Sequence, residues 1–345
     1  MQISMPLNYS GDIKKTVDQV VELEKVGLDT VWVAELYGFD AVSLMGYLAA
    51  RTERVQIGSA ILPLYSRTPT LIAQTAAGLD YLSDGRAVLG LGASGPQVIE
   101  GWHGVPYTTP LARTREVIEI CRKVWARRGP LTHEGRVFTL PLPPGEGTGL
   151  GKPLKIINHP VRDDIPVFVA SLGAKNVEMT AEIADGWLPH LFIPEKAAAV
   201  WGDALAAGRA KRSPELGELQ IAAGGMIAIG EGPETKKLLD LARPMIALYV
   251  GGMGAKGKNF YNSVARRYGY EEAAEKIQDL YLSGKKEEAA AAVPEEMVEL
   301  TNLVGPESYV RERIEAFREA GVTHLNLVPV ADDPVALIEK VRGWL

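Results

Sequence analysis

Short apolar runs alternate with amphipathic segments along almost the whole chain. The pattern predicts strands at 2–7, 29–35, 54–62, 86–94, 165–173, 185–192, 219–230 and 324–330. Helices are predicted between and after them, at 13–26, 40–52, 70–83, 111–128, 174–184, 194–211, 234–249, 307–320 and 333–344. In the first helix Val17, Val20, Val21 and Val26 recur at helical spacing and Gly27 supplies a stop. Several strands are apolar nearly throughout, as parallel strands covered by helices should be. Eight such β/α units in 345 residues favour an α/β fold of the closed (β/α)8 TIM-barrel kind over an open doubly wound sheet.

Two stretches break the rhythm. Residues 129–165 contain "LPLPPGEGTGLGKP", too rich in Pro and Gly for a core element. Residues 250–305 form a second excursion. Both are expected to be loop insertions within one domain spanning 1–345, not linkers between two. With 46% hydrophobic residues the chain can bury a sizeable core. A net charge of -6 argues against a general nucleic-acid or anionic-membrane surface, yet leaves room for a local basic pocket. The single cysteine, Cys121, lies in the apolar pattern "REVIEICRKVW" and is expected to be a buried thiol. The five histidines are scattered, so no metal site is expected. No signal peptide or membrane-length apolar run is visible, which leads to the expectation of a cytoplasmic chain.

In a (β/α)8 barrel the working residues sit at the C-terminal strand ends. That nominates Asn8, Glu35, Ser59, Ala60, Ile61, Gly92, Ala93, Ser94, Gly95, Ser171, Leu172, Gly173, Ala174, His190, Gly224 and Gly225. Gly90, Gly92 and Gly95 spell G-x-G-x-x-G, but after a fourth strand rather than a first. Pro96 then precedes Gly and Pro punctuation instead of a clear helix, and no acidic strand end follows about 20 residues on. The glycines either let a flat ligand approach the backbone or serve close packing. Gly173 to Asn176, "GAKN", sit at a strand-to-helix junction suited to an anion, with Lys175 adding charge; a plain solvated lysine is the alternative. Glu35 reads as a general acid, a ligand acceptor, or the partner of a structural arginine. His190 is a proton donor or a satisfied histidine. The stretch "YVGGMGAKGKNFYNSVARRYG" (249–269), with Lys256 and Lys258, suits a lid over a flat anionic ligand or an exposed basic loop.

The segments "GLDTVWVAELYGFDAVS", "VQIGSAILPLYSRTP", "LGLGASGPQVIEGWHG", "VFVASLGAKNVEMTAEIADGWLP" and "ALYVGGMGAKGKNFYNSVARRYGY", in this order, resemble the luciferase-like oxidoreductase superfamily. Within it they resemble the branch that uses the deazaflavin coenzyme F420, close to methylenetetrahydromethanopterin reductase-like proteins. The resemblance implies a barrel of bacterial-luciferase type, hydride transfer at C5 of the deazaflavin to or from a small organic substrate, and a homodimer. It implies that Ser59-Ala60-Ile61 back the ring, with a cis peptide at Ala60–Ile61. It places Gly92 to Gly95 beside the ring and Gly173 to Asn176 at the phosphate; Ser171 joins the cofactor-binding candidates, and the basic stretch with Lys256 and Lys258 leans towards the long anionic tail of F420. Glu35 and His190 become candidates for proton transfer or substrate orientation. Leu36 stands where sugar-phosphate dehydrogenases of the superfamily carry a histidine, which argues against that substrate. The segment "ISMPLN" lacks the acidic residue expected of the reductase. Two other readings remain: an FMN-dependent monooxygenase of the same superfamily, and an F420-binding protein without turnover.

Overall fold

The computed structural model describes residues 1–7 and 11–345, so Asn8 lies outside the described residues. Eight parallel strands form a closed ring: β1 (Gln2–Pro6), β2 (Thr30–Val33), β3 (Gln56–Ser59), β4 (Ala87–Gly92), β5 (Val167–Ala170), β6 (Gly186–Leu188), β7 (Gln220–Ala223) and β8 (His324–Asn326). Each pairs with its successor, and β8 pairs with β1 through Gln2 opposite His324, so no edge remains. Around it run α1 (Ile13–Lys25), α2 (Ala41–Arg51), α3 (Pro69–Leu82), α4 (Pro110–Ala126), α5 (Ala174–Ile183), α6 (Pro194–Arg209), α7 (Glu307–Glu319) and α8 (Pro334–Arg342). Their starts follow ordinary capping chemistry. Asp12, Asp40, Thr68 and Asp333 accept first-turn N–H groups of α1, α2, α3 and α8. Proline opens α3, α4, α6 and α8, where its missing N–H costs nothing.

Strand alternation divides the core in two. Ile3, Val31, Ile57, Leu89, Val167, Ile221 and Leu325 face the helices. Trp32, Val88, Phe168 and Ala222 face inward and plug the barrel, with Ala60 and Leu188 packed on them. The Trp32 and Phe168 rings meet at 5.2 Å. Room for two rings comes from neighbouring strands: a Cβ on Gly58 would stand 2.3 Å from Trp32, and one on Gly186 would stand 2.2 Å from Phe168.

At the N-terminal end of the barrel, side chains cap the strand starts. Asp29 accepts the N–H of Ile3 (2.7 Å), Glu24 that of Val55 (2.6 Å), Asp80 that of Ala87 (3.2 Å), Asp185 that of Val167 (2.8 Å) and Thr323 that of Ile221 (2.8 Å). Arg342, Arg162 and Arg122 pair with Asp29, Asp80 and Asp185. This end of the molecule is built for stability.

The structure departs from the expected elements at the rim. The run 219–230 breaks at Gly224–Gly225, and its second half, Met226–Ile229, joins Leu303–Gly305 and Val328–Pro329 in a separate three-stranded parallel sheet. The cause is close approach, since a Cβ on Gly224 would stand 2.2 Å from the Asn326 carbonyl oxygen. The segment 250–305 is mostly helical, with helices Phe260–Arg267, Glu271–Leu282, Lys286–Ala291 and Glu295–Leu300. Its glycine-rich opening hid the helical periodicity of "EEAAEKIQDLYL". Segment 234–249 is two helices, Pro233–Asp240 and Arg243–Ala247, and the second runs into a π turn, Leu248–Gly252. The insertion 129–165 is irregular apart from a hairpin of His133–Glu134 with Thr139–Leu140. Buried Glu116 of α4 holds that hairpin, accepting N–H groups from Arg136 (2.8 Å), Val137 and Phe138 (2.9 Å).

Candidate functional site

The C-terminal strand ends converge on one mouth above the Trp32–Phe168 plug. At the end of β3, Ser59 is fully buried and spent inside the wall. Its hydroxyl donates to the Gly90 carbonyl at 2.8 Å and accepts the Gly90 N–H at 2.9 Å. The next peptide, Ala60–Ile61, is cis. The Ala60 N–H donates to the Val33 carbonyl at 2.7 Å, which keeps β2 and β3 together past the ladder.

The glycine motif on β4 divides by role. A Cβ on Gly90 would stand 1.7 Å from the Ser59 carbonyl oxygen, and one on Gly92 would stand 2.9 Å from Ile61 Cδ1. Gly95 has only the Gln97 side-chain oxygen nearby, at 3.3 Å. Between them Ser94 holds a left-handed φ of 58°, uncommon for a residue with a side chain. One expectation is corrected here: a helix, Pro96–Gly101, does follow Gly95 at once, because Pro96 occupies its first position, where proline is favoured. The motif still lacks a ribose-binding acid at a strand end, since Glu116 is committed to the 133–140 hairpin.

At β5, Ser171 points away from the mouth: its buried hydroxyl pairs with Thr180 of α5 at 2.9 Å and its carbonyl accepts the Trp187 indole N–H. Gly173 then caps α5 without any side-chain acceptor, so the first-turn N–H groups have no side-chain partner there. Ala174 and Lys175 are exposed. The side-chain oxygen of Asn176 is buried without a hydrogen-bond partner.

His190 follows β6 and lies against two aromatic rings that the sequence placed far away. Its centroid is 3.9 Å from that of Tyr249 on the π turn and 5.6 Å from that of Tyr261. Leu191, next to it, has a left-handed φ of 54°. Burial pushes the imidazole down to about 4, so it is neutral at ordinary pH, and its Nε2 is buried without a partner. The ring can therefore donate or accept a hydrogen bond but carries no charge. His324, below the plug, is likewise pushed down to about 4 by burial. Near pH 5 both histidines are neutral in the folded chain and charged in the unfolded one, so the unfolded state binds more protons. Stability from these two groups is full above pH 6.5 and falls as pH drops towards 4, by roughly 2 kcal/mol per pH unit near pH 5. Thermal melts at pH 7, 6 and 5 check this, and a flat midpoint would contradict it.

Glu35, at the end of β2, is paired with an arginine. Arg67, from the turn after Leu62–Pro63, forks onto both carboxylate oxygens (Nη2 to Oε2, 2.8 Å; Nη1 to Oε1 also bonded). The N–H of Ala41 donates to Oε2 at 2.8 Å. Both side chains are largely buried. Of the readings open for Glu35, this geometry is the structural ion pair, with the carboxylate's bonding directions mostly taken.

The basic stretch is less free than its composition suggested. Lys256 pairs with Asp279 at 2.7 Å and Arg266 approaches Glu275 at 3.9 Å, while Lys258 is exposed. Exposed Phe260 leans on the "GAKN" turn, since a Cβ on Gly173 would stand 3.1 Å from its ring. The second insertion thus touches both His190 and the start of α5. Sequence reasoning missed Arg67, whose "YSRTP" setting carries no pattern. It also missed the pairing of Tyr249 and Tyr261 with His190, although both tyrosines lay in the stretch it singled out. Among the described residues no group of three or more His, Cys, Asp or Glu is placed to hold a metal, and no helix is long and apolar enough to cross a membrane.

The profile of the luciferase-like monooxygenase family matches residues 1–324. A putative coenzyme F420-dependent oxidoreductase of Mycobacterium tuberculosis is 43% identical, with 94% of this chain and 93% of that protein covered. A 5,10-methylenetetrahydromethanopterin reductase of Archaeoglobus fulgidus is 28% identical over 92% of this chain and 89% of its own. Among solved structures, the coenzyme F420-dependent tetrahydromethanopterin reductase of Methanopyrus kandleri superposes with a TM-score of 0.78 at 24% identity, covering 99% of this chain and 96% of that one, which is a likeness of fold.

Proposed function

Because the chain belongs to the luciferase-like monooxygenase family, we propose that it is an F420-dependent oxidoreductase that moves a hydride between the deazaflavin C5 and a small organic substrate. The observation that carries this is the 43% identity, along nearly the full length of both chains, to a protein named for that coenzyme. The residues present fit the group. The first turn of α5 has no side-chain cap and a buried, unpartnered Asn176 oxygen, and Lys175 stands exposed beside it. In this reading Gly173, Ala174, Lys175 and Asn176 hold the phosphate through backbone N–H groups and one charge. Ala60 and Ile61 back the ring, with Gly92 to Gly95 along its side. Ser59 and Ser171 act from behind, by fixing the strand ends. Lys256 and Lys258 lie over the anionic tail.

When bound, a deazaflavin supplies two-electron hydride chemistry and reacts poorly with oxygen. The chain's own part is to orient the substrate, exclude water and manage one proton. His190 is suited to that part, because a neutral imidazole with an unpartnered Nε2 can hydrogen-bond the substrate oxygen as charge develops on it. Glu35 contributes by fixing Arg67 and the start of α2. A single domain and a cytoplasmic location complete the reading, with a homodimer on the strength of the family resemblance.

The test is a side-by-side titration of F420 and FMN by fluorescence quenching. F420 is expected to bind at micromolar concentration and FMN at least tenfold more weakly; the reverse order would sink the reading. Lys175→Glu is expected to weaken F420 roughly tenfold, since it replaces one charge-assisted contact by a repulsion. An unchanged affinity would take Lys175 out of the phosphate site.

A further inference from the structure

We propose that the cavity between α1 and α2 is a binding site for the apolar body of a neutral small molecule. The cavity measures about 440 Å³, a size suited to a small organic ligand. Its inner wall is Val33 and Ala34, its sides are Ile13, Leu44 and Tyr47, and Phe39 lies on its rim. Phe39 is 84% exposed, an aromatic ring left in water at the edge of an apolar hollow.

Among the described residues, the carboxylates at this lining are already paired. Asp40 accepts the N–H of Ser43 at 2.9 Å with one oxygen and the Ser43 hydroxyl at 2.9 Å with the other. The nearby Glu35 carboxylate is closed by Arg67 and Ala41 N–H. Lys14 is exposed at the edge of the lining. Among the described residues an anionic or sugar-like ligand would find only the exposed Lys14 ammonium at the edge, and would lose its own hydration in the apolar hollow. A neutral apolar one buries its surface against Leu44, Ile13 and Phe39 at a gain of about 25 cal/mol per Å².

The cavity lies on the helix-facing side of β2. Val33, on its wall, accepts the N–H of Ala60, the first residue of the cis peptide. A ligand seated there therefore lies behind β2, and the site is separate from the ring position assigned above. The inference rests on the cavity alone and does not depend on the F420-dependent reading.

The test uses Nile red, a neutral apolar dye, titrated into the intact protein and into Ser43→Trp and Phe39→Ala. Ser43 is exposed on the rim, so an indole there fills the cavity without touching the core. Circular dichroism verifies that each variant is folded. Nile red is expected to bind at micromolar concentration, at least tenfold more weakly in Ser43→Trp and several-fold more weakly in Phe39→Ala. It should be displaced by 2-cyclohexenone and not by acetate or glucose 6-phosphate. Equal binding to all three proteins, or displacement by the anions, overturns the inference. F420 is titrated in parallel and should bind wild type and variants within twofold. Failure of F420 to bind wild type, with the Nile red pattern intact, sinks the F420-dependent reading and leaves the cavity's ligand class standing.

Discussion

Gly90→Ala is expected to abolish folding, while Gly95→Ala, five residues on in the same motif, leaves the barrel intact. The added methyl at position 90 would stand 1.7 Å from the Ser59 carbonyl oxygen, well inside any permitted contact. Neither side can move away cheaply. Ser59 is tied to Gly90 by two hydrogen bonds through its hydroxyl, and β3 and β4 are both ring members with neighbours on their other sides. Relief would mean opening the ring between β3 and β4 and exposing the Trp32–Phe168 plug. At Gly95 the methyl meets only the flexible end of Gln97, and φ is -95°, open to any residue. Soluble expression and far-ultraviolet circular dichroism check both variants. A folded Gly90→Ala with a wild-type melting temperature would contradict the packing role, as would a collapsed Gly95→Ala. A dinucleotide fingerprint would make its third glycine as demanding as its first.

Asp80→Ala should cost about 2 kcal/mol or more of stability, because it removes the buried acceptor shared by the half-buried Arg162 and the Ala87 N–H. Asp80 is fully buried at the base of the barrel. Arg162 reaches it from the end of the first insertion with Nε at 3.1 Å and with Nη2, and also donates to the Ala87 carbonyl at 2.7 Å. The same carboxylate accepts the Ala87 N–H that opens β4. Its loss therefore unpairs an arginine, leaves a strand-start N–H unsatisfied and unfastens residues 129–165 at their far end. Asp80→Asn keeps an acceptor for Ala87 and loses the ion pair, so it should fall between. Breaking Lys237–Glu234, whose side chains are 71% and 83% exposed, should change stability by under about 1 kcal/mol. Urea unfolding with an unchanged slope measures all three.

The barrel was legible because its signal is local. "DTVWVAE" and "IPVFVASLG" are apolar on both faces, and only a covered parallel strand needs that. The rim was less legible. Nothing in "LQIAAGGMIAIG" says that the chain leaves the ring at Gly224, because the steric cause, the Asn326 carbonyl, lies far off in sequence. The same limit governs the candidate site. Strand ends were found by counting, so His190, Gly92 and Gly173 fell where the mouth is. Which way Ser59, Ser171 and Glu35 turn depends on Gly90, Thr180 and Arg67, partners supplied by other parts of the chain, and no spacing rule reports them.

The small sheet beside the mouth has an evolutionary consequence. Met226–Ile229 and Leu303–Gly305 lie side by side, with Ile227 opposite Leu303 and Ile229 opposite Gly305. The residues between them, 230–302, therefore leave this small sheet and return to it at adjacent points. A segment with its two ends fastened so closely can be lengthened, shortened or exchanged for a small change in loop-closure entropy. The tyrosines that flank His190 and the phenylalanine that leans on Gly173 both belong to that segment. One splice can thus re-tailor the roof of the mouth as a cassette, while the eight-stranded frame beneath it is inherited unchanged.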